Sequence, residues 1–203
     1  MPEDYDLGYW FHRPDGLTEP MPLVLFLHGA GERGDDLELV RVHGPTKQAY
    51  EGQELPFALL APQCPADSWW HWHERDVMAL LDRIMETQPV DPDRVYLTGL
   101  SMGGFGTWDL AARHPDRFAA AVPICGWGDG WLVGRLVGLP IWAFHNEDDP
   151  VVEVSGTTRL AEQLRNAGGT IKATINPTGG HDAWTAAYDD PALYEWMLAQ
   201  RRR

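Results

Sequence analysis

A serine sits between two glycines in Gly99-Leu100-Ser101-Met102-Gly103, after the β-branched and aromatic run Val95-Tyr96-Leu97-Thr98 and before a segment that reads as helix. This strand-turn-helix context lifts a serine hydroxyl above the carboxyl end of a sheet, on a turn so sharp that a Cβ at Gly99 or Gly103 would collide with the neighbouring chain. Free N–H groups at the start of the next helix favour the negative charge that develops when the hydroxyl attacks a carbonyl. A serine hydroxyl is a weak nucleophile at neutral pH, so it needs a histidine to take its proton and an acid to hold that histidine in one tautomer. His181, in Thr178-Gly179-Gly180-His181-Asp182, is the candidate base, and Asp148 and Asp149, after His145-Asn146-Glu147, are the candidate acids. A second glycine-rich turn, His28-Gly29-Ala30-Gly31-Glu32-Arg33-Gly34, leaves its backbone N–H groups unencumbered, as an oxyanion site requires.

These loops need strands that end beside one another. Pro22 to Leu27 and Phe57 to Pro62 are continuous apolar runs of the kind buried on both faces of a parallel sheet. Gly8 to His12, Phe118 to Ile124, Pro140 to Phe144 and Ile171 to Ile175 read as further strands, the last with the period-two alternation of a sheet edge. Val77, Leu80, Leu81, Ile84 and Met85 fall at helical spacing between Glu74 and Glu86. Asp35 to Arg41 and Pro45 to Tyr50 read as short helices, Thr157 to Ala167 as a helix capped by Gly168-Gly169, and Asp190-Pro191 as the opening of a last one. Strands alternating with helices predict an α/β chain: a mostly parallel sheet of about seven strands with helices on both faces and active loops at the carboxyl ends. The whole of residues 1–203 is expected to form a single catalytic domain. Gly126 to Leu139 leaves no room for a cap domain, so the site should be open.

Sixteen Lys and Arg against thirty Asp and Glu give a formal charge of −14, which argues against nucleic acid and against an anionic membrane surface as partners. No stretch approaches membrane-spanning length, the acidic start Met1 to Asp6 lacks a basic then apolar run, and Cys64 and Cys125 lie in apolar settings. A cytoplasmic protein without a disulfide framework is the expectation. Nothing in the chain specifies an oligomeric state.

Together, His28-Gly29-Ala30-Gly31, Gly99 to Gly103, His145-Asn146-Glu147-Asp148-Asp149-Pro150-Val151-Val152 and Gly180-His181-Asp182 resemble the α/β-hydrolase superfamily over nearly the whole chain, including its Ser, Asp, His order. Within it the chain is similar to the compact, capless carboxylesterases, near the phospholipase/carboxylesterase and predicted-peptidase (polyhydroxybutyrate-depolymerase-like) group. The resemblance implies Asp149 as the acid, with Asp148 the fallback, and the N–H groups of Ala30 and Met102 as the oxyanion hole. It also implies a serine carboxylesterase acting on small to medium acyl esters, with a small-molecule ester as its partner and no cofactor. The chain departs from the pattern at Asn146, where a glycine is usual, and at Trp127, where relatives often carry a small residue, so Trp127 reshapes the substrate pocket.

Other residues admit plainer roles. His28 and His145 read as structural donors to loop backbone. Trp69 and Trp70 read as an aromatic wall of the substrate pocket, against the alternative of packing at a helix start. His71 and His73, at i and i+2, cannot face one way on a helix, so no metal site is expected. Glu32 and Arg33 either pair to orient the oxyanion turn or stand in solvent. Two rivals to the esterase reading remain: the same machinery acting on a peptide, thioester or lactone, and a catalytically silent binding module.

Overall fold

The structure is a computed structural model that describes residues 7–202; the acidic start Met1 to Asp6 and Arg203 lie outside the described residues. Seven strands, β1 (Tyr9–His12), β2 (Met21–Leu27), β3 (Ala58–Pro62), β4 (Val90–Leu100), β5 (Ala120–Ile124), β6 (Ile141–Asn146) and β7 (Ile171–Asn176), form one sheet. Their order is β1-β3-β2-β4-β5-β6-β7, with β1 antiparallel to β3 and every other pair parallel.

β2 is buried along its whole length because helices cover both faces of the sheet. Leu23, Leu25 and Leu27 point to one side, where α2 (Glu74–Thr87), α3 (Met102–Arg113) and α4 (Ser155–Asn166) bring Val77, Leu81, Trp108, Leu110, Leu160 and Leu164. Val24 and Phe26 point to the other, against Ala49 of α1 (Gly44–Tyr50), Tyr188 of α5 (Trp184–Asp189) and Leu193 and Met197 of α6 (Pro191–Leu198). The alternation of side chains along a strand is thus used on both faces.

α4 ends where Gly168, at φ +89°, lets Gly169 N–H turn back to Leu164 O at 2.8 Å. The Asp190 side chain caps α6 by accepting from Ala192 N–H at 2.9 Å, with Pro191 as the first helical residue. The helix expected over Asp35 to Arg41 is instead a single 3₁₀ turn at Leu39–Arg41. Asp36 is the reason: its Oδ1 takes Glu38 N–H at 3.0 Å, a local bond that competes with helix formation. Among the described residues nothing larger than the 3₁₀ turn Gly130–Leu136 intervenes between β5 and β6.

Candidate active site

β4 delivers Ser101 to a turn at φ +52°, ψ −117°, a conformation that costs a non-glycine residue about 1–3 kcal/mol and persists only where its surroundings enforce it. The surroundings here are backbone. A Cβ on Gly99 would lie 2.5 Å from Gly103 O, and one on Gly103 would overlap Leu27 O and come within 2.8 Å of His28 O. The two glycines therefore let the elbow nest against the end of β2, beside the glycine-rich turn.

His181 Nε2 lies 2.8 Å from Ser101 Oγ, and His181 Nδ1 lies 2.7 Å from Asp149 Oδ2. A carboxylate only accepts, so Nδ1 carries the proton and the Nε2 lone pair faces the serine hydroxyl. The other oxygen of Asp149 accepts from Val151 N–H at 2.8 Å and Val152 N–H at 2.9 Å. Burial pushes this carboxyl up, but the hydrogen bonds from His181, Val152 and Val151 outweigh it and hold the group below its ordinary value, so it is a fixed anion. Behind it stands His145, wholly buried, whose Nε2 donates to Val152 O at 2.9 Å and lies 3.3 Å from Asp149 Oδ2.

Asp148 does something else. It accepts from Gly180 N–H at 2.8 Å and Gly179 N–H at 3.3 Å, clamping the loop that carries His181 without touching the imidazole. Asn146 works on the same loop: its Nδ2 donates to Gly180 O at 3.0 Å, and its Oδ1 accepts from Asn176 Nδ2 at 2.9 Å. A Cβ on Gly179, at φ +141°, would sit 2.5 Å from Asn146 Nδ2, so the asparagine that replaces the usual glycine is packed into the histidine loop. The strand register makes this pair, since Asn146 and Asn176 face each other across β6 and β7.

Met102 opens α3 and Ala30 opens the 3₁₀ turn Ala30–Glu32, so the N–H of each belongs to a first turn with no intrahelical partner. Arg33 secures the Ala30 turn, donating from Nε to Ala30 O at 2.9 Å and from Nη1 to Ser68 O at 3.1 Å. Glu32 is buried and faces His43 at 3.8 Å, so it neither pairs with Arg33 nor stands in solvent, the two alternatives the sequence left open. His28 is a fixture of the same turn. Its Nδ1 donates to Gly29 O at 2.6 Å, its Nε2 accepts from Cys64 N–H at 2.9 Å, and burial lowers its pKa to about 4.

Beside Met102 opens a cleft of about 850 Å³ bordered by Trp69, Trp70, Phe105, Trp127 and Trp131. Trp70 is its buried floor, with Nε1 donating to His28 O at 3.0 Å, whereas Trp69 and Trp127 stand half exposed on either side of Phe105, at ring separations of 6.5 and 5.5 Å. Phe105 and Trp127 also border a second cleft of about 380 Å³ that reaches Val151 and Val152. The two rings form a ridge between the clefts. Phe105 is a pocket residue that the sequence signalled only by its place one helical turn after Ser101.

Cys125, Asp149 and His181 hold donor atoms within 4.8 Å of one another. They suit a metal poorly: Nδ1 and Oδ2 bind each other, and burial pushes the Cys125 thiol up to about 12, leaving it neutral.

The model of the prolyl oligopeptidase family matches residues 66–132, the stretch from the loop before α2 through the elbow into the Gly130–Leu136 turn. Poly(3-hydroxyalkanoate) depolymerase C of Paucimonas lemoignei is 31% identical over 60% of this chain and 31% of its own length. The putative esterase NocK of Nocardia uniformis subsp. tsuyamanensis is 32% identical over 73% of this chain and 47% of its own. A solved thermostable esterase superposes with a TM-score of 0.86 at 36% identity, covering 96% of this chain and 59% of that one. The chain thus spans 31% to 59% of the length of these relatives. Its sheet order, its elbow and the likeness to the thermostable esterase give it the α/β-hydrolase fold, and among the described residues no cap stands between β5 and β6.

Proposed function

We propose that this chain is a serine carboxylesterase that hydrolyses small to medium acyl esters through an acyl-serine. The observation that carries the reading is the unbroken line from Ser101 Oγ through His181 to a buried, ionised Asp149, set on a strained elbow. Ser101 Oγ attacks the ester carbonyl and passes its proton to His181 Nε2, which gives it to the departing alkoxide. Water activated by the same nitrogen then releases the acid. The N–H groups of Ala30 and Met102 receive the oxyanion, each worth on the order of 10²–10³-fold in kcat. The names of the depolymerase and the esterases above support an ester as the scissile bond. The aromatic clefts on either side of the Phe105 and Trp127 ridge offer apolar room for the acyl and alcohol arms.

No part of this chemistry calls for a metal or cofactor. Two unpaired buried cysteines suit a reducing cytoplasm, and the −14 charge suits neither nucleic acid nor an anionic bilayer as partner. Among the described residues no helix is long and apolar enough to cross a membrane. The match to a peptidase family over residues 66–132 favours one second reading, the same machinery cleaving a peptide bond.

Hydrolysis of p-nitrophenyl acetate and butyrate tests the assignment. Ser101→Ala is expected to lower kcat by on the order of 10⁴–10⁶-fold with the thermal melt unchanged. Full turnover in that variant overturns the proposal. An acyl series run beside anilide and thioester analogues separates ester from peptide cleavage.

A further inference from the structure

A second line of serine, histidine and carboxylate lies outside this site. Ser68 Oγ is 2.6 Å from His73 Nε2, and His73 Nδ1 is 2.9 Å from Asp76 Oδ2. The carboxylate fixes the tautomer as it does at His181: Nδ1 holds the proton, and the free lone pair of Nε2 points at a serine hydroxyl. The parts are built by one helix start. His73 is the N-cap residue of α2 and Asp76 lies in its first turn, where a carboxylate is favoured by the helix dipole. Their side chains are 12% and 20% exposed, largely shielded from water but not sealed from it. Ser68 is partly exposed, on a turn that Asp67 enters at φ +57°, and its carbonyl is tied to the Arg33 guanidinium at 3.1 Å. A cleft of about 450 Å³ runs along residues 71–76, bordering His73 and Asp76 but not Ser68.

We propose that Ser68 is a second activated serine, which accepts an acyl or phosphonyl group from small electrophiles carrying a good leaving group. Ser68 Oγ attacks the carbonyl carbon while its proton moves to His73 Nε2. The tetrahedral species collapses, the bond to the leaving oxygen breaks, and the leaving group departs with that proton as a free phenol or alcohol, leaving an ester on Ser68. With a fluorophosphonate the P–F bond breaks as the P–O bond forms, and hydrogen fluoride is released. Ser68 N–H is committed to Pro65 O at 3.3 Å, and the cation beside the serine, Arg33, is already bonded to two carbonyls. Oxyanion support is therefore weaker than at the elbow, and each missing donor slows such a step on the order of 10²–10³-fold. Ser68 consequently acts as a slow covalent acceptor and not as a site of rapid turnover. This behaviour does not depend on what Ser101 does.

The test is labelling of the Ser101→Ala variant with a fluorophosphonate, read by peptide mass spectrometry. Ser68 is expected to take up one probe per chain over hours, while Ser155, whose hydroxyl donates to Glu153 with no histidine beside it, stays unlabelled. Adding His73→Gln is expected to slow the Ser68 label by about 10²–10⁴-fold, the share of a general base. Adding Asp76→Asn instead, which leaves the imidazole in place but frees its tautomer, serves if the glutamine variant does not melt like its parent. An unlabelled Ser68 in folded Ser101→Ala protein overturns the proposal. So does a Ser68 label whose rate is indifferent to both His73 and Asp76, since that would be an ordinary reactive hydroxyl.

Discussion

Two Ser–His–Asp lines stand in one small chain with nearly the same distances, 2.8 and 2.7 Å at Ser101 against 2.6 and 2.9 Å at Ser68. What separates them is everything around the line. Residues 68, 73 and 76 are brought together by one local turn into a helix, whereas 101, 149 and 181 come from three strand ends that only the sheet makes neighbours. Asp149 is fully buried and fed by two backbone N–H groups; Asp76 is partly exposed. Ser101 sits on strained backbone at a helix start, while the amide of Ser68 is spent on a turn. The hydrogen-bonded line alone is easily assembled; the glycine-rich turn, the elbow and the dry acid require a fold.

The acids break this comparison most sharply. Asp149→Asn is expected to lower kcat on esters by about 10⁴-fold, because a neutral amide no longer enforces the Nδ1–H tautomer. Asp148→Asn weakens the clamp on Gly179 and Gly180, and a histidine displaced by under an ångström costs about 10–100-fold. Asp76→Asn leaves ester turnover within about twofold, since it touches only the slow serine. Steady-state kinetics on one chromogenic ester ranks all three. A larger loss from Asp148→Asn than from Asp149→Asn would move the acid role to the neighbouring residue.

The seven strands and the elbow were legible because apolar runs, glycine pairs and turn residues carry their structural cause in their own identity. Asp148 and Asp149 are the contrary case. They are adjacent and chemically identical, and only the fold decides that one turns inward to two backbone N–H groups and an imidazole while the other reaches the next loop. Asn146 read as a mere departure from a family pattern because its partners lie 30 and 34 residues away. The Ser68 line is obscure for the opposite reason: Ser68 and Asp76 lie within five residues of His73, but no sequence spacing marks a serine, a histidine and an acid joined by a turn into a helix.

His28 joins the two regions, and acid tests the joint. Its carbonyl accepts from Trp70, its ring accepts from the amide of Cys64, and its own donor goes to Gly29 in the glycine-rich turn. Burial lowers its pKa from 6.5 to about 4, so the unfolded chain binds the proton first as pH falls. Stability from the neutral ring is complete above pH 6.5 and is lost as pH drops through that value toward 4, by up to about 3 kcal/mol. Urea unfolding at pH 7 and pH 4.5 measures it. His28→Gln should be less stable at pH 7 but should flatten this part of the profile; an equally steep variant profile would place the acid sensitivity elsewhere.

The smallest effect concerns the surroundings that only the elbow serine has. Trp127 lies against Gly156, where a Cβ would overlap its ring, and with Phe105 it divides clefts of about 850 and 380 Å³. Trp127→Ala removes the half-exposed part of that ridge and joins the two spaces. Acetate, too short to feel the ridge, should be hydrolysed within about twofold of the parent rate. Longer or bulkier acyl groups should change by about tenfold, within the roughly 1–3 kcal/mol that a methylene is worth in an apolar pocket. An acyl-chain series in kcat/KM resolves the two outcomes. A uniform fall across the series would mean that Trp127 holds the elbow in place and does not shape what enters it.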